Sequence, residues 1–177
     1  MPEESDWVLY GPFDSDLTLI NNTLPFRLTE LFAQVTGKDY YVPRSQFIEL
    51  FVNEVDAQLT ADDYAGLYVL MEKIKRDNNR IDIAKPSSKH TIEPDITGGY
   101  IFKFDSADPE DLGFMTPVLG WTVRYVEPKE VEITPAQQEY ILGFFGEFES
   151  TLSSGNSAAY ADVDSFVDLN LINEVVR

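Results

Sequence analysis

Two stretches, "SQFIELFVN" (45–53) and "AGLYVLMEKI" (65–74), set the main constraint on the fold. Both are rich in aromatic and β-branched residues, which suit a pleated, half-buried surface. The segment between them, "EVDAQLTADDY", is polar. The simplest arrangement is an antiparallel pair joined by a long hairpin loop. Further along, "GGYIFKFD" (98–105) alternates, with Tyr100, Phe102 and Phe104 on one side and Ile101 and Lys103 on the other. "GWTVRYVEP" (120–128) reads as another strand, and "DWVLYGPF" near the start is a short apolar stretch closed by Gly11 and Pro12.

Helical spacing brackets these strands. In "DSDLTLINNTLPFRLTELFAQVTG", Leu17, Ile20, Leu24, Leu28, Leu31, Phe32 and Val35 recur at helical intervals. Asp14 or Asp16 is the expected cap and Gly37 the expected end, with Pro25 kinking the helix or starting its second half. "ITPAQQEYILGFFGEFESTL" carries the clearest start: Thr134 as N-cap, Pro135 at N1 and Gln137 completing a capping box. Ile141, Phe144, Phe145, Phe148 and Leu152 then form an apolar stripe. A last helix is expected from Asp164 to Arg177, apolar on two faces: Phe166, Leu169 and Ile172 or Asn173 on one, Val167, Leu171 and Val175 on the other. Such a helix packs on both sides, and its place at the end implies that more chain follows. No repeat or low-complexity linker appears. The order helix, strands, helices predicts an α+β fold rather than alternating β/α.

The chain has 177 residues, which fits one domain or a large piece of one. Apolar residues make up 44% of it, enough for a real core. Its formal net charge of −18 argues against nucleic acid and against an anionic membrane surface as partners. It favours solubility, salt tolerance or cation binding. There is no cysteine, which rules out disulfides, thiolate metal sites and a cysteine nucleophile. The single histidine, His90, sits in the polar loop "KPSSKHTIEPD" and reads as exposed. The start has neither a basic nor an apolar leader region, and no apolar run approaches the roughly 18 residues needed to span a bilayer.

Against this acidic background, Lys73, Lys75, Arg76 and Arg80 fall within eight residues, directly after a buried-looking strand. The main chain of a strand's exit segment can read the edge of a flat base such as adenine. Met71, Glu72 and Ile74 are the candidates for that contact, and the four cations would attract the ligand's phosphates. The alternative is a strand leaving the core, its charges solvated or paired with Asp77, Asp82 and other carboxylates. Arg44, after Pro43, reads as a structural pair with a nearby carboxylate rather than a cleft residue. "DSADPEDLG" is the nearest approach to a calcium loop, and Asp162 and Asp164 read as turn and cap residues. "TGGY" is a weak phosphate-loop signal. No Walker loop, GxGxxG, GxSxG or HExxH occurs.

Six segments in order, "SDWVLYGPFDSDLTLINNTLPFRL", "YVPRSQFIELFVN", "YAGLYVLMEKIKRDNNRIDI", "DITGGYIFKFD", "EITPAQQEYI" and "DVDSFVDLNLINEV", resemble the spore-coat CotH kinase family over almost the whole chain. The resemblance implies an atypical protein-kinase-like fold and an ATP- and Mg²⁺-dependent Ser/Thr kinase acting on coat or surface proteins. It implies a spore-coat, cell-surface or secreted setting. It likens "LYVLMEKI" to the kinase hinge strand and the helix from Asp16 to Gly37 to the helix on the nucleotide lobe. The family's Arg-Asn stands here as Asn21-Asn22, and its small and acidic residues as Pro25 and Arg27. By the same comparison, the family's catalytic and metal-binding aspartates lie beyond the helix matched by "LINEVVR", and the N-terminal strands that would carry a phosphate-contacting base are missing or barely present. Residues 1–177 are therefore expected to be one incomplete domain, inactive alone and without tightly bound cofactor, to which no catalytic or metal residue is carried over. The alternatives are a non-catalytic surface or coat module that keeps the fold as a scaffold, and an acidic α+β domain with no ligand.

Overall fold

The computed structural model describes residues 6–11, 13–37, 41–54, 58–104 and 113–155. The expected helix at 164–177, the Asp162–Asp164 caps and most of "DSADPEDLG" lie outside them. The fold is α+β, with two three-stranded antiparallel sheets and two helices. The chain divides into two compact units, with the change falling between Ile74 and Lys75.

In the first unit, β1 (Trp7–Tyr10), β2 (Ser45–Phe51) and β3 (Tyr64–Glu72) form a sheet in the order β1-β3-β2. The register runs from Ser45 opposite Met71 to Phe51 opposite Tyr64, so the long hairpin expected from the sequence forms. A 3-10 turn, Ala61–Asp63, feeds β3, and the Asp63 carboxylate accepts from the Thr60 amide at 2.7 Å. Gly11 follows β1 at a point where a Cβ would sit 2.2 Å from the Tyr68 ring, so no larger residue passes there without displacing that ring.

Helix α1 (Ile20–Thr36) packs on this sheet through Phe26, which joins Leu19, Val69 and Met71 in a buried cluster. Its N-cap is Leu19, in the left-handed region at φ 56°, rather than an aspartate. Asp16 still acts on the first turn: its carboxylate accepts from the Asn21 amide at 3.0 Å and the Thr18 hydroxyl at 2.8 Å. Gly37 ends the helix in the left-handed conformation, its N–H donating to Ala33. The buried helix residues are Asn22, Phe26 and Thr29. The apolar series Ile20, Leu24, Leu28, Leu31, Phe32 and Val35 lies on the exposed side.

The second unit holds β4 (Ile101–Phe104), β5 (Gly113–Met115), β6 (Thr122–Glu127) and α2 (Pro135–Ser153). Its sheet order is β4-β6-β5. Phe114, Val123, Tyr125, Ile141 and Phe145 form its core, with Tyr100 and Phe102 packed against them. Helix α2 starts as expected, with Thr134 and Gln137 making both bonds of the capping box. Its buried line is Gln137, Ile141, Phe145 and Glu149, two of them polar. Both polar residues are employed. The Gln137 amide donates to the carbonyls of Ser87 (2.8 Å) and His90 (3.2 Å), tying the 84–99 loop to the helix. The Glu149 carboxylate accepts from the amides of Val118 (2.8 Å) and Leu119 (3.1 Å) and fixes the β5–β6 turn.

Candidate functional site

Within the first unit, β3 is the central strand and its end is heavily committed. Met71 lies opposite Val8 on one side and Ser45 on the other, and its side chain is buried. The Glu72 amide donates to the Arg44 carbonyl (3.0 Å) and the Lys73 amide to the Asp6 carbonyl (3.4 Å). The Glu72 side chain is fully enclosed. One oxygen pairs with the Arg44 guanidinium at 2.5 Å and the other accepts the Arg44 amide at 3.1 Å. A buried carboxylate needs such partners, because its desolvation goes uncompensated without them. Arg44 is thus the partner of a carboxylate, as its position before β2 led us to expect.

The sheet pairing stops after Lys73. Among the described residues, the N–H and C=O of Ile74 take part in no hydrogen bond. Of the three base-edge candidates, Met71 supplies packing, Glu72 has spent its amide and its carboxylate, and Ile74 keeps both main-chain groups open. Sequence alone could not divide them, because nothing in the order of residues says that Arg44 would claim Glu72.

The four cations differ as much. Lys73 is exposed. In the second unit, residues 75–81 close on themselves. The Ile81 amide donates to the Lys75 carbonyl (3.2 Å), the Asp77 amide to the Ile81 carbonyl (3.1 Å), and the Asp77 side chain accepts from the Asn79 amide (2.9 Å). The Arg76 Nε lies 3.5 Å from a carboxylate oxygen of Glu127. Arg80 is buried. "KIKRDNNR" is therefore a structured turn, with one arginine paired and another buried, and not a uniformly solvated run.

The "TGGY" signal has a steric explanation. Gly99 sits at φ 91°, and a Cβ there would fall 1.9 Å from the Ala84 carbonyl oxygen. The glycine is required by close passage of the chain. His90 is half-buried, and its Nδ1 accepts from the Ser87 amide at 3.4 Å. Among the described residues, no three acidic or histidine side chains converge as a metal site would need. No described helix is long and apolar enough to cross a membrane.

Comparison with known families decides the wider context. The family described as CotH kinase protein matches residues 1–177, the full length of the chain. The chain belongs to the CotH kinase family. No curated protein and no solved structure matches it. In this CotH chain the stretch "LYVLMEKI" runs along β3 as far as Glu72, and Lys73 and Ile74 follow the strand.

Proposed function

We propose that this CotH chain contributes the base-binding part of an ATP-dependent protein Ser/Thr kinase, with the main chain of Ile74 at the nucleotide edge and Met71 and Glu72 supporting it from behind. The observation that carries the reading is the open peptide of Ile74, two residues beyond a central strand. One N–H and one C=O in succession match the acceptor and donor on an adenine edge. Met71 supports the strand from within the core, and the Glu72–Arg44 pair fixes the backbone just before the exit. Lys73, exposed beside Ile74, adds positive charge that phosphates favour. Mg²⁺ would neutralise the phosphate charge in such a reaction. Among the described residues, no group of three acidic or histidine side chains converges to hold it.

The test is ATP·Mg²⁺ titration by calorimetry, on the 177-residue chain and on the open reading frame that encodes it. Ile74→Pro removes the N–H, and we expect it to weaken ATP binding at least about tenfold, the loss typical of one buried hydrogen bond left unmade, while Ile74→Ala retains it. Equal affinity in both variants, with the fold intact by circular dichroism, would refute the base-edge role.

A second reading, a non-catalytic coat or surface scaffold, is favoured by the exposed apolar side of α1, which suits a protein contact. A protein that binds no nucleotide yet retains its fold would favour it.

A further inference from the structure

The first unit contains a cleft of about 320 Å³ between α1 and the segment leading into β2, lined by Thr23, Phe26, Arg27, Glu30, Val42, Pro43, Arg44 and Ser45. Its volume is at the lower end of ligand-binding cavities. Two arginines line it in a chain that has only 13 Lys and Arg. Arg44 is fixed by the buried Glu72 and yet leaves 55% of its side chain exposed. Its fork is held in place while further N–H donors stay available. Arg27, with 63% exposure, pairs with Glu30 one turn on. Ser45 adds a hydroxyl that bonds to nothing among the described residues, whereas the Thr23 hydroxyl is spent on the Leu19 carbonyl at 2.9 Å. Phe26, Val42 and Pro43 give the cleft apolar walls.

We propose that this cleft binds a phosphate monoester carried on a peptide. Guanidinium forks match phosphate oxygens in pairs, and the apolar walls suit the carbon of a peptide chain. Glu30 selects the charge of the ligand. A single carboxylate would only replace Glu30 on Arg27, one charge for one. A phosphate near −2 gains against both arginines and so outcompetes it. Glu30 thus keeps weak acids out of a site that a phosphorylated side chain can enter.

The probe is a short neutral peptide with one phosphoserine, fluorescently labelled and followed by anisotropy at low salt, beside its unphosphorylated twin. We expect only the phosphopeptide to bind. Arg27→Gln should weaken it about tenfold, and Glu30→Gln, on the surface and harmless to folding, should tighten it severalfold. Arg44→Lys keeps the charge beside Glu72 but loses the fork, and should weaken binding with the fold retained. Equal binding of the twin peptide overturns the proposal, as does indifference to Arg27→Gln and Glu30→Gln. Displacement by inorganic phosphate at the same concentration as the phosphopeptide would show an ion site without a peptide component. Displacement by micromolar ATP would assign the phosphate to a nucleotide. Either result refutes the peptide assignment.

Discussion

Arg44 and Glu72 lie 28 residues apart and meet where β3 leaves the first sheet. Glu72 is enclosed and Arg44 is half exposed, so removing either partner has unequal consequences. Arg44→Ala strands a buried carboxylate, and should cost roughly 3 kcal/mol, the lower end for broken buried pairs because water reaches the guanidinium side. Replacing both together, Arg44→Met with Glu72→Met, should recover most of that loss. Urea unfolding of the double variant and of the single variants Arg44→Met and Glu72→Met measures it, and additive losses would show that the pair is not coupled. Glu149 supplies a pH-dependent counterpart. Burial pushes its carboxyl up, but the Thr116 hydroxyl and the amides of Val118 and Leu119 outweigh that and hold it below the usual range. A carboxyl lowered on folding contributes stability above its unfolded pKa of about 4.3, and loses it as pH falls through the folded value. We expect urea midpoints to be level from pH 7 to 5 and to drop below pH 4. Glu149→Gln should start lower at pH 7 and drop less. An unchanged acid limb in that variant would remove Glu149 from the account.

At the scale of elements, α2 was the most legible part of the sequence and also shows where legibility stops. Thr134, Pro135 and Gln137 announce the helix start because the cap uses only local chemistry. Thr134→Ala should therefore cost about 1 kcal/mol. Gln137→Ala should cost more, because it also releases the Ser87 and His90 carbonyls 47 to 50 residues away. Hydrogen exchange should speed up across 84–99 in Gln137→Ala and not in Thr134→Ala. That second duty is invisible in sequence, as is the burial of Glu149 in what reads as a polar helix end. The β2–β3 hairpin was legible because its strands are rich in aromatic and β-branched residues and a polar segment separates them. The strand β5 was not, since three residues, Gly113–Met115, carry no period. In α1 the apolar spacing identified the helix and the residues that share a side. It could not say which neighbour each side would meet, and the sheet took the side of Asn22, Phe26 and Thr29. The stretch "LYVLMEKI" was legible as a strand with an exit. That Glu72 would be engaged and the Ile74 main chain left open was not legible, because the partner of Glu72 is Arg44, 28 residues away in sequence.

At the scale of the molecule, the α1 outer side and the net charge act against each other. Leu24 is 49% exposed and Leu28 39%, in line with Ile20, Leu31 and Val35. A stripe of that length favours association, whereas a charge of −18 keeps like molecules apart. Salt shifts the balance, because the Debye length falls from about 30 Å at 0.01 M to about 3 Å at 1 M while the apolar attraction persists. We expect the chain to sediment as a smaller species at low salt than at 1 M NaCl. The double variant Leu24→Glu/Leu28→Glu should abolish the difference. Because both residues already face water, that variant should change unfolding stability by no more than about 0.5 kcal/mol per site, as ordinary surface substitutions do. A larger loss would mean that the stripe is covered in solution, and a salt-dependent size that survives the substitutions would place the contact elsewhere on the chain.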